Sequence, residues 1–307
     1  MKTAIVGAGA MGGLWASRLA LGGATVTVMD VAAEVIAAIA SRGLILESAA
    51  GLETAFPAAT TDPGAIGPVG VVFFFVKAHH TAAAAELARP LIGPDTIVVS
   101  LQNGWGNADV LASVFPPERL VVGVTYHSAT VLEPGRVNHS GRGATFAGPY
   151  QDDAPLAGAE AVGRLLTGAG LDTTVTAAVK TEVWKKLILN AATLPTAALT
   201  GLRAGALGQP GSLLDLVDAL AVEAVRVAQA QGFAIEEAER IARIHAVLAG
   251  AGTGKPSMLQ DTEARRKTEI EVINGAVVQA AERLGIDVPL NQAMVALIGG
   301  LERAWRP

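Results

Sequence analysis

The chain has 307 residues, of which 51% are hydrophobic and 17% charged, with a formal net charge of −5 and no cysteine. This composition supports a large buried core, and it argues against disorder, a nucleic-acid-binding surface, a disulfide framework and a cysteine nucleophile. No apolar run approaches the roughly 18 residues of a transmembrane helix, and glycines interrupt the stretch where a signal peptide would lie. We therefore expect a cytoplasmic protein that binds neither nucleic acid nor a membrane.

The first half of the chain alternates between short β-branched runs and longer runs rich in alanine and leucine. The short runs predict the strands Thr3–Val6, Thr25–Met29, Val71–Val76, Thr96–Ser100 and Leu120–Val124. The longer runs predict the helices Met11–Leu21, Ala33–Ser41, Thr81–Ala88 and Asn107–Val114. This alternation is typical of an α/β fold, a doubly wound parallel Rossmann sheet with helices on both faces.

The pattern changes after the fifth predicted strand. Short segments broken by glycines from Val131 to Ala147 predict extra strands at the sheet edge, followed by a helix at about Pro155–Gly168 and a strand at Asp172–Thr176. Only helices are predicted beyond, at Thr181–Ala192, Ser212–Gln231, Ile235–Leu248, Ser257–Leu284 and Asn291–Ala304. We therefore predict a dinucleotide-binding domain over residues 1–175 and an all-helical substrate domain over residues 176–307.

The apolar stretch Met294–Leu301 in the last predicted helix fits either the core or the interface of a homodimer. Apolar helices usually bury within their own chain, which favours the core.

A glycine-rich loop, Gly7-Ala8-Gly9-Ala10-Met11-Gly12, follows the first predicted strand directly and opens the first predicted helix. This context matters because a GxGxxG triplet alone is weak evidence. The first glycine permits a tight turn, the second lets backbone approach a pyrophosphate, and the third lets helix and strand pack closely. The N–H groups at the helix start then attract phosphate. The loop therefore predicts a dinucleotide site.

Asp30 ends the second predicted strand, 18 residues after Gly12. A carboxylate at this place accepts hydrogen bonds from the hydroxyl groups of the adenosine ribose and repels a 2′-phosphate. No arginine or lysine lies between Val31 and Ser41. The residues therefore favour NAD(H) over NADP(H), and the alternative is a surface aspartate beside a tight turn.

The chain resembles the ketopantoate reductase (2-dehydropantoate 2-reductase) family along essentially its whole length, and five segments carry this resemblance. They are IVGAGAMG, FFVKAHH, SLQNGWGN, EVWKKLILN and KPSMLQDTEARRKTEIEVING. The resemblance implies a Rossmann domain followed by a helical domain, an active site in the cleft between them, and a place in pantothenate biosynthesis. It further implies that a nicotinamide hydride reduces the carbonyl of a small-molecule 2-oxo acid. The family's default cofactor is NADP(H), which stays open here beside NAD(H).

Carried over by motif, the catalytic residues of the family fall on Lys186, Asn103 and Glu269. The resemblance gives Lys186 the role of general acid and substrate ligand, and Asn103 also contacts the cofactor. A cationic, partly desolvated lysine suits this chemistry because hydride attack builds negative charge on the carbonyl oxygen. Simpler interpretations are a surface lysine, an Asn-Gly turn at Asn103-Gly104, and an exposed salt-bridged helix face at Glu269.

The remaining site residues implied by the resemblance are Asn190 and Ser257 for the substrate and Lys77 for the cofactor. Asn190 follows Lys186 by four residues, so both side chains share one helix face. Ser257 precedes Gln260 by three residues and also fits a capping box that opens a helix. Lys77 could equally be a surface residue. The histidines lack metal-ligand spacing, so we expect no metal site.

The chain departs from the family pattern in its substrate residues. Leu194 and Ala204 stand where the family has asparagines that contact the polar part of pantoate. A hydroxylated substrate would lose partners at about 1–3 kcal/mol for each unsatisfied group. Together with Asp30, these changes suit an NAD-dependent D-2-hydroxyacid dehydrogenase that acts on apolar branched or aromatic 2-oxo acids.

Three functions are therefore weighed. The first is reduction of ketopantoate or a similar 2-oxo acid, and the second is the same chemistry on an apolar 2-oxo acid with NADH. The third is a non-catalytic dinucleotide sensor, against which the retained Lys186 and Glu269 argue, because a sensor needs no proton donor.

Overall fold

The computed structural model describes residues 1–305, which divide into two compact units. The first unit comprises Met1–Gln102 and Asn107–Val179, and the second combines the loop Asn103–Gly106 with residues from 180 onward. The division of the chain into domains at residues 175 and 176 stays a prediction. The last two residues of the predicted second domain, Arg306 and Pro307, lie outside the described residues.

The strands all fall in the first unit of the described chain. In chain order they are β1 (Lys2–Val6), β2 (Thr25–Met29), β3 (Leu44–Ser48), β4 (Gly51–Ala55), β5 (Ala58–Thr60), β6 (Val69–Phe74), β7 (Ile92–Ser100), β8 (Leu120–Thr125), β9 (Ser128–Glu133), β10 (Arg136–Gly141), β11 (Thr145–Pro149) and β12 (Thr173–Val175).

Eight of these strands form the main sheet, in the order β12-β11-β8-β7-β6-β1-β2-β5. All neighbours are parallel except β8 and β11. Because β1 lies between β6 and β2, the order of the strands reverses there, and such a reversal opens a crevice at the carboxyl ends of the strands. The predicted class, a Rossmann-type parallel sheet followed by a helical region, is confirmed.

Helices cover both faces of the main sheet in this unit. They are α1 (Ala10–Leu21), α2 (Ala33–Arg42), α3 (Thr81–Leu87), α4 (Asn107–Ala112) and α5 (Ala157–Gly168). Successive residues of β6 serve opposite faces, as the pleat of a strand dictates: Phe73 packs into a core with Trp15 of α1, and Phe74 into a second core with Phe115. The strands and helices predicted for the first half are all present, with ends shifted by at most four residues.

A second, four-stranded sheet in the order β4-β3-β10-β9 packs over α1. The prediction that residues 131–147 add strands to the edge of the main sheet is therefore wrong for β9 and β10, and holds only for β11. Strand β10 pairs with β3, some 90 residues earlier, and Gly51 at φ +115° lets β3 turn into β4. Strands β3 and β4 of this sheet, and β5 at the edge of the main sheet, were not predicted.

The second unit is helical. Its helices are α6 (Val179–Thr200), α7 (Ala204–Leu207), α8 (Ser212–Ala230), α9 (Glu237–Gly250), α10 (Ser257–Glu263), α11 (Asn274–Leu284) and α12 (Pro289–Arg303). Helix α6 runs past its predicted end at Ala192 and through Pro195, and α7 was not predicted.

One long helix was predicted over Ser257–Leu284, and this prediction is wrong. Helix α10 ends at Glu263, and Arg265 then takes a left-handed conformation at φ +50°, which interrupts the helix. A single 3₁₀ turn, Ile270–Val272, precedes α11.

The apolar stretch of the last helix belongs mainly to the core, since Met294 and Ile298 of α12 are buried whereas Leu297 is exposed. No helix within residues 1–305 combines the length and the apolar character needed to cross a bilayer.

A buried histidine pair joins the second sheet to helix α1. His127 Nδ1 and His139 Nε2 are 2.9 Å apart, and the His127 ring meets Trp15 edge to face. Both imidazoles are buried, and Nε2 of His127 has no hydrogen-bond partner in the described part of the chain. Burial lowers the pKa of both rings, and that of His127 falls from 6.5 to about 4.

Stability should therefore depend on pH through this pair. Because the pKa of His127 is lower in the folded chain than in the unfolded chain, the unfolded state takes up more protons between pH 6.5 and about 4. The free energy of unfolding should fall by on the order of 2 kcal/mol as the pH drops through that window. Urea unfolding followed by circular dichroism measures it, and His127→Gln should flatten the slope. An unchanged slope in this variant would contradict the assignment.

Candidate active site

The glycine loop has the geometry of a tight strand-to-helix turn. Gly7 lies at φ +98°, and a Cβ there would come within 2.9 Å of the backbone nitrogen of Val76. A Cβ on Gly12 would overlap the carbonyl oxygen of Gly7, so only glycine allows α1 to start this close to β1. Gly9 caps α1 without a side-chain hydrogen bond and has open space in front of its Cα. The N–H groups at the start of α1 can therefore donate hydrogen bonds to an anion.

Asp30 follows β2 directly and is tied to this loop. Its Oδ2 accepts a hydrogen bond from the backbone N–H of Ala8 at 2.6 Å, and its Oδ1 accepts one from Ala32 at 2.9 Å. The nearest cation along the helix is Arg42, whose guanidinium donates to the carbonyl of Pro134 at 2.7 Å. The end of β2 therefore presents a carboxylate, and α2 adds Glu34 in its first turn.

Lys77 lies at the same edge of the main sheet. Strand β6 ends at Phe74, and Phe75 still donates to the carbonyl of Val6 at 2.8 Å, which keeps this segment alongside the glycine loop. Gln102 donates to the carbonyl of Val76 at 2.8 Å, and the half-buried Lys77 follows before a 3₁₀ turn. The glycine loop, Asp30 and Lys77 therefore stand at the carboxyl ends of the neighbouring strands β1, β2 and β6.

Lys186 and Asn103 meet in the second unit. The Lys186 ammonium on α6 donates to Oδ1 of Asn103 at 2.9 Å. The side chain is half-buried, and desolvation lowers the pKa of Lys186 from 10.5 to about 8, while the charge of Glu269 acts in the opposite direction. The simpler interpretation of Lys186 as a fully solvated surface lysine is therefore wrong.

Glu269 is buried, so its interpretation as part of an exposed face of a charge-rich helix is wrong. It stands just before the 3₁₀ turn, in the segment that the end of α10 leaves non-helical. The neighbouring Thr268 is held by Glu302 of α12, which accepts from its backbone N–H at 2.8 Å and from its hydroxyl at 2.6 Å. The buried carboxylate of Glu302 therefore fixes the segment that carries Glu269.

Asn190 and Ser257 belong to the same unit. Asn190 is buried on α6, one turn after Lys186. Ser257 is the first residue of α10, and the capping position falls on Pro256, which has no side-chain cap bond. The predicted capping box is therefore wrong, because Ser257 is not the capping residue. The side-chain amide of Gln260 donates instead to the carbonyl of Lys255 at 2.8 Å.

The two positions that depart from the family pattern also lie in this unit. Leu194 is buried on α6, one turn beyond Asn190, and Ala204 begins α7.

The sequence interpretation missed an aromatic cluster that anchors the loop of Asn103. The Trp105 ring lies 5.6 Å from that of Trp184 and 6.0 Å from that of Phe233. The backbone N–H of Trp105 donates to the carbonyl of Val272 at 2.8 Å, and a Cβ on Gly104 would collide with that same oxygen. The tryptophan two residues after Asn103 was the available signal, because a large ring in a glycine-rich loop usually serves as an anchor.

Within residues 1–305, no group of three or more histidine, aspartate or glutamate side chains is arranged to hold a metal ion. The glycine-rich turn of a parallel sheet is typical of a dinucleotide-binding protein of the Rossmann type, and a lysine of lowered pKa marks a candidate functional site.

Comparison with known proteins gives the family. A family model described as ketopantoate reductase PanE/ApbA matches residues 3–152, and the model of its C-terminal part matches residues 178–302. The chain belongs to the ketopantoate reductase family. It is 34% identical to a 2-dehydropantoate 2-reductase of Halobacterium salinarum over 97% of this chain and 98% of that protein. A 2-dehydropantoate 2-reductase of Pyrococcus horikoshii is 33% identical, with 98% of each covered.

Solved structures agree with this assignment. A 2-dehydropantoate 2-reductase of Geobacter metallireducens superposes with a TM-score of 0.93 at 29% identity, covering 98% of this chain and 99% of that one. A structure of D-mandelate dehydrogenase with NADH and anilino(oxo)acetate superposes with a TM-score of 0.94 at 26% identity, covering 99% of each chain.

Proposed function

We propose that the protein reduces the carbonyl of a 2-oxo acid, with ketopantoate as the first candidate and Lys186 as the general acid. The observation that carries this proposal is the hydrogen bond from the Lys186 ammonium to Asn103, 2.9 Å long, in a setting that lowers the pKa of the lysine to about 8. A lysine tuned towards neutral pH gives up its proton far more readily than a solvated one. The curated relatives named above support ketopantoate.

The residues of the first unit fit a nicotinamide dinucleotide. The open space at Gly9 and the uncapped start of α1 suit its pyrophosphate, Asp30 suits the ribose hydroxyls, and Lys77 stands at the neighbouring strand end. When bound, such a cofactor supplies the hydride.

The residues of the second unit handle the charge that reduction creates. Lys186 stabilises the developing negative charge on the carbonyl oxygen and transfers a proton from Nζ to it. Asn103 accepts one N–H of the ammonium and so orients the other two, and it also lies where the family contacts the cofactor. Glu269 favours the charged form of the lysine. Asn190 and Ser257 offer an amide and a hydroxyl to the polar groups of the substrate.

The cofactor we propose is NADH rather than NADPH, the family's default. The carboxylate of Asp30 and the neighbouring Glu34 make the end of β2 negative, and Arg42 is engaged with Pro134. A 2′-phosphate would meet repulsion there, and no arginine or lysine lies between Val31 and Ser41 to offset it.

A second candidate substrate is an apolar branched or aromatic 2-oxo acid. The buried Leu194 and the small Ala204 offer no hydrogen bonds to a hydroxylated substrate. The match to D-mandelate dehydrogenase with NADH, at 26% identity, supports the same reaction type on an aromatic substrate.

Turnover with matched substrates tests the proposal. NADH and NADPH consumption should be followed with ketopantoate, 2-oxoisovalerate and phenylglyoxylate in parallel. We expect turnover, with NADH preferred, and the substrate of highest kcat/KM decides between the two candidates. Absence of turnover with all three would overturn the proposal and favour the non-catalytic sensor.

The neighbouring lysine provides a matched control for this experiment. Lys186→Ala should lower kcat by about 10²–10⁴-fold, the usual range for loss of a general acid. Lys185→Ala should keep most of the activity, because that ammonium pairs with Glu182 at 2.8 Å instead. Near-normal kcat in the Lys186→Ala variant would refute the acid assignment.

Cofactor selectivity tests the role of Asp30. Asp30→Ala should lower the ratio of kcat/KM for NADH to that for NADPH by about tenfold, because the repulsion of a 2′-phosphate is removed. Asp62→Ala is the matched control, since Asp62 likewise accepts a backbone hydrogen bond, from Gly64 at 2.8 Å, in a loop of the same unit. Preference of the unaltered protein for NADPH would show that the interpretation of Asp30 is wrong.

A further inference from the structure

Helix α6 lacks one backbone hydrogen bond close to its proposed substrate residues. We call this missing bond the defect in α6. Pro195 lies inside the helix and has no N–H, so the carbonyl of Ala191, four residues earlier, loses its α-helical donor. Ala191 is fully buried, which makes an unpaired carbonyl there costly. The defect follows Asn190 by one residue and falls within the stretch between Lys186 and Leu194.

A side chain from another helix repairs this defect. Asn274, the first residue of α11, donates from Nδ2 to the carbonyl of Ala191 at 2.9 Å. Asn274 is fully buried, so water does not compete for this hydrogen bond. A buried amide aimed at one backbone oxygen is specific in a way that an apolar contact is not.

The amide of Asn274 is itself held in place. Its Nδ2 also donates to Oδ1 of Asn291 at 3.0 Å, and Nδ2 of Asn291 donates to the carboxylate of Glu223 at 2.8 Å. Glu223 further accepts the backbone N–H groups of Leu290 and Asn291, each at 3.0 Å. A continuous buried chain of hydrogen bonds thus runs from α8 through α12 and α11 to the defect in α6.

The rest of α6 around the defect depends on its neighbours in the same way. Thr193 and Thr196 turn their hydroxyls back onto the carbonyls of Leu189 and Ala192, at 2.7 and 2.8 Å. Hydroxyls in this arrangement bend helices rather than stiffen them. The contact from α11 therefore meets α6 at a point where the helix is already prone to bend.

We propose that Asn274 is a positioning residue: by binding the carbonyl of Ala191, it sets where Asn190 and Leu194 lie relative to Lys186 and so tunes substrate binding. This inference rests on the proposed function, because it takes Lys186 and Asn190 as residues that meet a 2-oxo acid. It adds a residue that touches neither substrate nor cofactor and acts through one backbone oxygen.

A double-mutant cycle between Asn274 and Pro195 tests the proposal. Pro195→Ala restores a backbone N–H that can bond the carbonyl of Ala191, so this carbonyl no longer needs the amide of Asn274 in that background. The loss of the donor to Oδ1 of Asn291 is common to both backgrounds and cancels in the cycle. Asn274→Ala should raise KM for the 2-oxo acid and lower kcat/KM about tenfold in the natural background, but at most about twofold in the Pro195→Ala background. KM for the nicotinamide cofactor should not change.

Thr196→Val is the matched control within α6. Its hydroxyl bonds a carbonyl that keeps its helical donor, so this variant alters the same helix without leaving an unpaired oxygen. It should leave KM for the 2-oxo acid unchanged. Equal effects of Asn274→Ala in both backgrounds, or a rise in KM for Thr196→Val as large as that for Asn274→Ala, would overturn the proposal.

The free energy of unfolding of the four proteins in the cycle, which are the unaltered protein, the two single variants and the double variant, distinguishes failure of the proposed function from failure of the positioning role. Coupling between Asn274 and Pro195 in unfolding, with no turnover of any 2-oxo acid by the unaltered protein, would overturn the proposed function and the positioning role with it. Turnover by the unaltered protein without coupling in KM would overturn the positioning role alone. If Asn274→Ala fails to fold, the cycle is run with Asn274→Leu, which fills the same space without an N–H donor. A rise in KM for the 2-oxo acid that Pro195→Ala suppresses supports the proposal, and equal effects in both backgrounds contradict it.

Discussion

The chemistry proposed for this protein depends on one charged group, the ammonium of Lys186. A lysine on a buried helix is unstable as a charge unless neighbouring groups compensate for the water it has lost. Here burial lowers the pKa of Lys186 from 10.5 to about 8, and the negative charge of Glu269 acts in the opposite direction. Asn103 supplies an oxygen that accepts a hydrogen bond from the ammonium. The ammonium is kept, but its proton is held less tightly than in water, which is the state that a general acid needs.

Each partner of this lysine is fixed by a buried contact of its own. The loop of Asn103 packs with the helical unit, although Gln102 and Asn107 on either side belong to the Rossmann unit. Trp105 anchors it through two aromatic rings and a backbone bond to Val272. The segment of Glu269 is held by Glu302 through Thr268. Such support matters because a catalytic group misplaced by about 1 Å can cost on the order of 10²-fold in rate.

Local chemistry made the first unit largely predictable from the sequence. The glycines of the loop and the aspartate after β2 fall at the places expected of a known strand-turn-helix-strand motif, and the alternation of strands and helices follows from short-range patterns. The second sheet could not be predicted because β10 pairs with a strand some 90 residues away. The burial of Glu269 could not be predicted for a different reason, which is that Arg265 interrupts a helix that the residue pattern favours.

The site in the second unit was readable only in part. The motif places Lys186 and Asn190 on one helix, but the lowered pKa of the lysine depends on burial in the folded chain, which the motif does not show. Likewise Pro195 indicates in the sequence that the helix lacks a backbone hydrogen bond. The residue that supplies a replacement donor, Asn274, lies 79 positions further along the chain. Long-range partners of this kind have no local signature, and they decide how the same motif residues are held.

The dependence of kcat/KM on pH tests the central role of Lys186 most directly. In the direction of 2-oxo acid reduction the lysine must carry its proton, so kcat/KM should be constant at low pH and fall as the pH rises through about 8. In the direction of hydroxy acid oxidation, the same group must be neutral and the profile should rise through the same pH. A reductive kcat/KM that stays level to about pH 10, where an ordinary lysine titrates, would contradict the account.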